Sequence, residues 1–143
     1  MVDNAAVVRG VYEAFAKGDV SKLLEALDDK IEWHEAEHVT YWPGRAFIGP
    51  QAVLEGVIAR IPNDFDGFSI DVERIVGSGN TVLVEARYRA TVRATGLPLD
   101  ALVAHVWDFR DGKVVHWQQY TDTWQFAQLM GAPPAGKAAA AQA

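Results

Sequence analysis

The segment at residues 105–126, HVWDFRDGKVVHWQQYTDTWQF, constrains the fold more than any other part of this chain. Its Asp111-Gly112 pair lies between two stretches in which apolar and polar residues alternate. Asp-Gly favours a two-residue hairpin turn, because both turn positions accept a positive φ. We therefore predict that residues 103–110 and residues 113–121 pair as antiparallel strands.

The remaining elements follow from the spacing of apolar residues along the chain. Helical spacing predicts helices at residues 4–17, from Asp19 to residue 28, and from Pro50 to about residue 61. Alternating spacing predicts strands that begin at Ile31 and that cover residues 68–76, 81–93 and 99–110. Asp122, with Gln125 three residues later, fits a capping box and predicts a short C-terminal helix. Helices that precede an antiparallel sheet indicate an α+β domain in which the helices pack on one face of a curved sheet.

The composition limits the classes of function. The chain has 143 residues, a length typical of one domain. We predict that this domain covers residues 1–130 and that residues 131–143, which contain Ala and Pro, form a flexible tail. The net charge of -6 argues against nucleic acid or an anionic membrane as a partner. The absence of cysteine excludes disulfides and thiolate metal sites. No apolar stretch approaches the length of a membrane span, and we expect a cytoplasmic protein.

Four motifs in a fixed order carry a resemblance to a known family. They are VYEAFAKGDVSKLLEAL, IEWHE, FIGPQAV and VWDFRDGKVVHWQQYTD. With this order and spacing, residues 5–130 resemble the nuclear transport factor 2-like superfamily, in particular its SnoaL-like and ketosteroid-isomerase-like members. The resemblance implies a cone of strongly curved antiparallel sheet closed by three N-terminal helices, a small apolar ligand inside it, and a homodimer that pairs through the exposed sheet face.

The resemblance assigns only part of each enzyme's machinery to this chain. Glu35 corresponds to the carboxylate base of the isomerase. In the same register, the isomerase's oxyanion-hole tyrosine falls on Val11 and its hydrogen-bonding acid falls on His105. The aspartate that epoxide hydrolases and SnoaL cyclases use falls on Gln119, whose amide transfers no proton at neutral pH. The resemblance therefore implies a shared scaffold without a complete copy of any of these reactions.

Strand alternation from Ile31 through Trp33 directs Glu35 toward an apolar interior. A carboxyl group in such surroundings has a raised pKa and suits a general base or acid near neutrality. We predict Glu35 and His105 as catalytic residues, the first as the base and the second as the acid or electrophilic group. Two alternatives are that they satisfy each other's hydrogen bonds or that they reach water at the mouth. Predicted ligand-binding residues are Tyr12, Trp33, Tyr88, Trp107, Trp117 and Gln119.

A second motif, His34-Glu35-Ala36-Glu37-His38, matches the H-E-x-x-H pattern of zinc hydrolases. That chemistry needs a helix, in which residues four apart share a face. The flanking residues favour a strand and a loop, in which the two histidines would lie about 13 Å apart. A zinc hydrolase is therefore the minor alternative, and no metal ligands are predicted.

The sequence as a whole predicts a protein that binds a small apolar or aromatic molecule and catalyses an isomerase- or cyclase-type proton transfer. We expect no cofactor, because no Gly-rich phosphate loop follows a strand. The competing hypothesis is a non-catalytic ligand carrier or dimerisation module, whose pocket is filled by its own tryptophan side chains. An open cavity with two convergent titratable groups would favour the enzyme.

Overall fold

The computed structural model describes residues 3–131. Its helices are α1 (Asn4–Ala16), α2 (Ser21–Ala26), α3 (Pro50–Gly56), α4 (Ile61–Asp64) and α5 (Thr123–Met130), with a 3₁₀ helix at Ile58–Arg60. Its strands are β1 (Leu27–His34), β2 (Phe47–Ile48), β3 (Phe65–Ser78), β4 (Thr81–Val92), β5 (Pro98–Arg110) and β6 (Lys113–Thr121). The predicted tail at residues 131–143 lies outside the described residues, apart from Gly131. Within residues 3–131, no helix has the length and apolarity needed to cross a bilayer.

The strands form one curved sheet in the order β2-β1-β6-β5-β4-β3. Neighbouring strands are antiparallel except for β1 and β6, which run parallel. The register shifts twice between β3 and β4 and once between β5 and β6. Such bulges bend a strand and increase its twist, which accounts for the strong curvature. The predicted α+β class with a strongly curved sheet is confirmed.

The predicted hairpin is present in the predicted register. Val103 lies opposite Thr121 and Arg110 lies opposite Lys113. The two turn residues, at 111 and 112, have φ values of 51° and 78°, as a turn with positive φ at both positions requires. Along β5 every second residue from 99 to 109 is buried, so this strand presents one face to the interior over its whole length.

Helix α5 begins where the capping pattern predicts. The Asp122 carboxylate accepts the backbone N–H of Gln125 at 3.0 Å. The side chain of Gln125 does not complete the reciprocal half of a capping box. It instead accepts from the Asp100 backbone N–H at 2.8 Å and donates to the Asp100 carbonyl at 3.0 Å, which ties the helix to β5.

Two helix predictions need correction. Asp19 lies one position before the N-cap of α2, which is Val20, and its carboxylate accepts the N–H of Ser21 at 2.9 Å. The helix predicted from Pro50 to about residue 61 ends at Gly56 and continues as the 3₁₀ helix and α4. Pro62 follows within this stretch and has no backbone N–H to continue an α-helical ladder.

Strand β2 was not predicted. Its two residues are too few to show alternation, and it becomes a strand only because Phe47 pairs with Trp33 of β1. The close approach of α3 to this strand depends on Gly56, where a Cβ would overlap the Phe47 ring. These contacts hold β2 and α3 against the edge of the sheet.

Candidate active site

The concave face of the sheet and helices α1 and α5 enclose a cavity with about 750 Å³ of empty space, counting the space at its open mouth. Its lining is almost entirely apolar, and Val11, Phe15, Phe65, Phe68 and Phe126 contribute to it. All eight predicted site residues line this one cavity: Tyr12, Trp33, Glu35, Tyr88, His105, Trp107, Trp117 and Gln119. Six of them point inward from four strands, Glu35 directly follows β1, and α1 supplies Tyr12.

Glu35 follows the last residue of β1 and is 4% exposed. Its Oε2 accepts the indole N–H of Trp33 at 2.9 Å, the single hydrogen bond to this carboxylate among residues 3–131. Burial raises the pKa of Glu35 to about 7, against the smaller lowering effects of the Trp33 bond and the Arg60 charge. A carboxyl group with this pKa both accepts and releases protons near neutrality.

His105 lies between two tyrosine hydroxyls on the cavity wall. Its Nδ1 is 2.5 Å from the hydroxyl of Tyr12, and its Nε2 is 2.7 Å from the hydroxyl of Tyr88. Burial lowers the pKa of His105 to about 3, so the imidazole is neutral at neutral pH. Glu35 and His105 share no hydrogen bond within residues 3–131, which removes the alternative in which they satisfy each other.

Two further side chains hold the tyrosines in place. The indole N–H of Trp107 donates to the Tyr12 hydroxyl at 3.1 Å, and the Gln119 amide donates to the Tyr88 hydroxyl at 2.7 Å. The Gln119 carbonyl accepts the Ala36 backbone N–H at 3.1 Å, which fixes the orientation of the amide. Gln119 therefore connects the segment that carries Glu35 to the tyrosine and histidine network.

The tryptophans lie in the wall and leave the cavity open. Trp33 and Trp117 stack with ring centroids 3.6 Å apart, and Trp107 meets Trp117 edge to face at 6.1 Å. The Trp117 indole nitrogen is buried and has no hydrogen-bond partner among residues 3–131. Because the stacked pair forms a flat apolar surface, a planar aromatic ligand has a matching face to pack against.

The cavity also contains residues that the sequence did not single out. Tyr41 lies in the loop after β1, and its hydroxyl donates to the Asp64 carboxylate at 2.6 Å. The guanidinium of Arg60 lies 4.2 Å from the centre of the Tyr41 ring. A loop has no period that assigns an aromatic side chain to one face. The density of aromatic residues in the loop sequence TYWPG is the one signal that could have identified Tyr41.

The H-E-x-x-H residues do not form a metal site. His34 lies at the end of β1, and His38 is exposed in the following loop with φ 71°. The His34 ring packs against His116, with centroids 4.7 Å apart, while Glu35 is buried on the cavity side. No group of three potential ligands is arranged to hold a metal ion within residues 3–131. The minor zinc hypothesis is therefore wrong, because the motif is not on a helix.

Comparisons with known proteins agree on the fold. The sequence model of the SnoaL-like domain matches residues 8–117. A nuclear transport factor 2-like protein from Burkholderia thailandensis has 29% identity and a TM-score of 0.85, over 91% of this chain and 98% of that chain. A SnoaL-like polyketide cyclase from Jannaschia, described as putative, has 17% identity and a TM-score of 0.76, over 92% and 93%. TerC, crystallised with polyporic acid, has 23% identity and a TM-score of 0.77, over 88% and 96%. No curated protein matches.

Proposed function

The chain belongs to the SnoaL-like domain family, and we propose that it binds a small, largely apolar or aromatic molecule in its cavity and transfers a proton within it. The reaction is of the isomerase or cyclase type. The observation that carries the proposal is a buried carboxyl group with a pKa of about 7 that lines the same cavity as a neutral hydroxyl network.

Glu35 is the base in this proposal. Its carboxylate takes a proton from a carbon next to a carbonyl group, and the electrons of that C–H bond form the enolate. The enolate oxygen accepts a hydrogen bond from Tyr12 or Tyr88, and the protonated Glu35 returns the proton to another carbon. Such positioned proton transfer contributes about 10²–10⁴-fold to a rate, and donors in a dry site stabilise the developing charge.

In this proposal His105 does not act directly on the ligand as the acid or electrophilic group that the sequence predicted. Both ring nitrogens are within hydrogen-bond distance of tyrosine hydroxyls, so neither one faces the ligand. The low pKa also keeps the ring neutral. His105 is therefore a positioning residue that orients the two hydroxyls.

The character of the ligand follows from the lining of the cavity. The wall is aromatic and apolar, and its few polar groups are hydroxyls, an amide and one carboxyl. Such a cavity favours a flat, poorly charged ligand with few oxygen atoms.

Binding is tested by intrinsic tryptophan fluorescence during titration with a panel of hydrophobic phenols. We expect saturable quenching, because Trp33, Trp107 and Trp117 line the cavity. For members of the panel acidic enough to be phenolates throughout the titrated pH range, the affinity should fall as the pH rises through about 7 in the wild type and stay constant in Glu35→Gln, because ionised Glu35 repels an anion. Glu37→Gln, at an exposed position two residues away, is the matched control.

Catalysis is tested by deuterium exchange at the acidic C–H positions of tetralones and related aromatic ketones, followed by NMR. Wild type and Glu37→Gln should accelerate the exchange, and Glu35→Gln should lose about 10²-fold or more of that acceleration. Binding without any exchange would favour the ligand carrier, and the absence of both would favour the dimerisation module.

We also propose that the chain forms a homodimer through the outer face of the sheet. Leu83, Leu102 and Tyr120 are 47%, 57% and 59% exposed on β4, β5 and β6. Large apolar side chains on one sheet face are typical of an interaction surface. Sedimentation equilibrium of the wild type and of Leu102→Lys tests this, and a monomeric wild type would contradict it.

A further inference from the structure

The network around His105 contains one more hydrogen than it uses internally. Trp107 and Gln119 each donate one hydrogen bond to a tyrosine hydroxyl, and a neutral imidazole donates one and accepts one. Each tyrosine hydroxyl carries one hydrogen of its own. The imidazole therefore accepts from one tyrosine and donates to the other, and that second hydroxyl keeps an uncommitted hydrogen.

The position of the ring proton decides which hydroxyl is free to donate. With the proton on Nδ1, Tyr12 accepts from both Trp107 and His105 and has a free hydrogen, while Tyr88 donates to Nε2. With the proton on Nε2, Tyr88 accepts from both Gln119 and His105 and has the free hydrogen, while Tyr12 donates to Nδ1. The exchange balances when Nδ1 gives its proton to Tyr12, Tyr88 gives its hydrogen to Nε2, and a water molecule that enters through the cavity mouth takes the free hydrogen of Tyr12 and gives one to Tyr88. Every group is neutral before and after, so a donor crosses the site without a net movement of charge.

We infer that His105 is a tautomeric switch that makes Tyr12 and Tyr88 interchangeable donors to a ligand oxygen, one at a time. Histidine tautomers are normally set by one strong partner, such as a carboxylate or a backbone carbonyl. Here the two partners are chemically alike and lie at 2.5 Å and 2.7 Å, so neither tautomer has a dominant anchor. Neither Glu35, the one carboxyl group in the described cavity lining, nor Tyr41 hydrogen-bonds the ring within residues 3–131.

The tautomeric switch also restricts the class of substrate. This part of the inference rests on the proposed function. The cavity accepts a ligand with an acceptor oxygen on either side of the imidazole, but it supplies a full donor to only one oxygen at a time. A molecule with one carbonyl or hydroxyl oxygen therefore fits, in either of two orientations. A diketone held by both tyrosines at once lacks a second donor and should bind no more tightly than its monoketone analogue.

The ring proton can be observed directly in protein that contains nitrogen-15 histidine. The chain has four histidines, and comparison with His105→Asn assigns the signals of His105. The two ring nitrogens of a fixed neutral tautomer give widely separated chemical shifts. In the ligand-free wild type we expect shifts averaged between the two tautomers. A cationic ring would overturn the inference.

Two variants should move the ring proton in opposite directions. In Tyr12→Phe the proton should occupy Nε2, and in Tyr88→Phe it should occupy Nδ1, because an N–H buried against a phenyl ring loses its acceptor. Trp124→Phe, at a position that is 71% exposed, is the control and should leave the shifts unchanged. The same tautomer in the wild type and both variants would overturn the inference.

Phenol binding supplies the second readout. Either single variant should weaken binding by no more than about twofold, because the other tyrosine takes over as donor. The double variant should weaken it by about tenfold or more, which exceeds the product of the two single losses. A double-variant loss equal to that product would contradict interchangeable donors. The ligand-free NMR result stands even if no phenol binds and the proposed function fails, so the two failures are distinguishable.

Discussion

Glu35→Gln should make the protein more stable at neutral and alkaline pH. The pKa of Glu35 rises from 4.5 to about 7 on folding because the carboxyl group is buried. Between these two values the folded protein holds a proton that the unfolded chain releases, so stability present below pH 4.5 is lost as the pH rises to about 7. Each pH unit corresponds to about 1.4 kcal/mol, so ionisation of Glu35 costs about 3 kcal/mol of folding free energy.

Glutamine has the shape of the protonated acid and does not titrate. The free energy of unfolding of Glu35→Gln should therefore nearly equal that of the wild type at about pH 4 and exceed it by up to about 3 kcal/mol at about pH 8. Urea denaturation across this range measures the difference, and other titrating groups cancel in the subtraction. Glu37→Gln should show no such trend. A difference that stays constant with pH would refute the assignment of a buried, titrating carboxyl group.

Three smaller changes test other contacts. Trp33→Phe removes the N–H that stabilises ionised Glu35, so the pH midpoint of deuterium exchange should move upward. Gly56→Ala should destabilise the protein by about 1–3 kcal/mol, because the new Cβ overlaps the Phe47 ring and this overlap outweighs the helix propensity gained. Asp122→Ala should cost about 1 kcal/mol, because the first turn of α5 loses its cap; urea denaturation measures both losses.

Matched variants separate these effects from general damage. Gly10→Ala, in α1, has no atom within 4 Å of the new Cβ and should stabilise by up to about 1 kcal/mol. Asp122→Asn keeps an oxygen acceptor and should lose little. Trp124→Phe changes a side chain that is 71% exposed and should leave the pH midpoint of deuterium exchange unchanged. A stabilising Gly56→Ala would show that the Phe47 ring moves freely.

Local sequence patterns were sufficient to predict much of the fold and eight of the residues that line the cavity. The Asp111-Gly112 turn and the alternation along β5 predicted a register that the structure confirms. The same alternation predicted that Glu35 and His105 are buried, and they are 4% and 2% exposed. Side-chain direction in a strand has a period of two, so one correct register assigns every inward residue.

Local patterns failed where an element has no period of its own. Strand β2 has two residues and exists because β1 lies beside it. Tyr41 lines the cavity from a loop, and its position depends on Asp64 and Arg60. The helix after Pro50 ends at Gly56, because Val57 leaves the helical conformation with φ -129° and ψ -67°, and the apolar spacing continues past that break.

The sequence by itself determined which residues face the interior, because inward direction is set by a repeat of two along each strand. The tertiary structure decided what those residues do to one another. Tyr12 and His105 are 93 positions apart and meet only because α1 closes over β5. Gln119 of β6 meets the segment that carries Glu35 only because β1, which precedes that segment, pairs in parallel with β6. These hydrogen bonds join residues that are far apart in sequence, and the local spacing of apolar and polar residues does not show which distant residues come into contact.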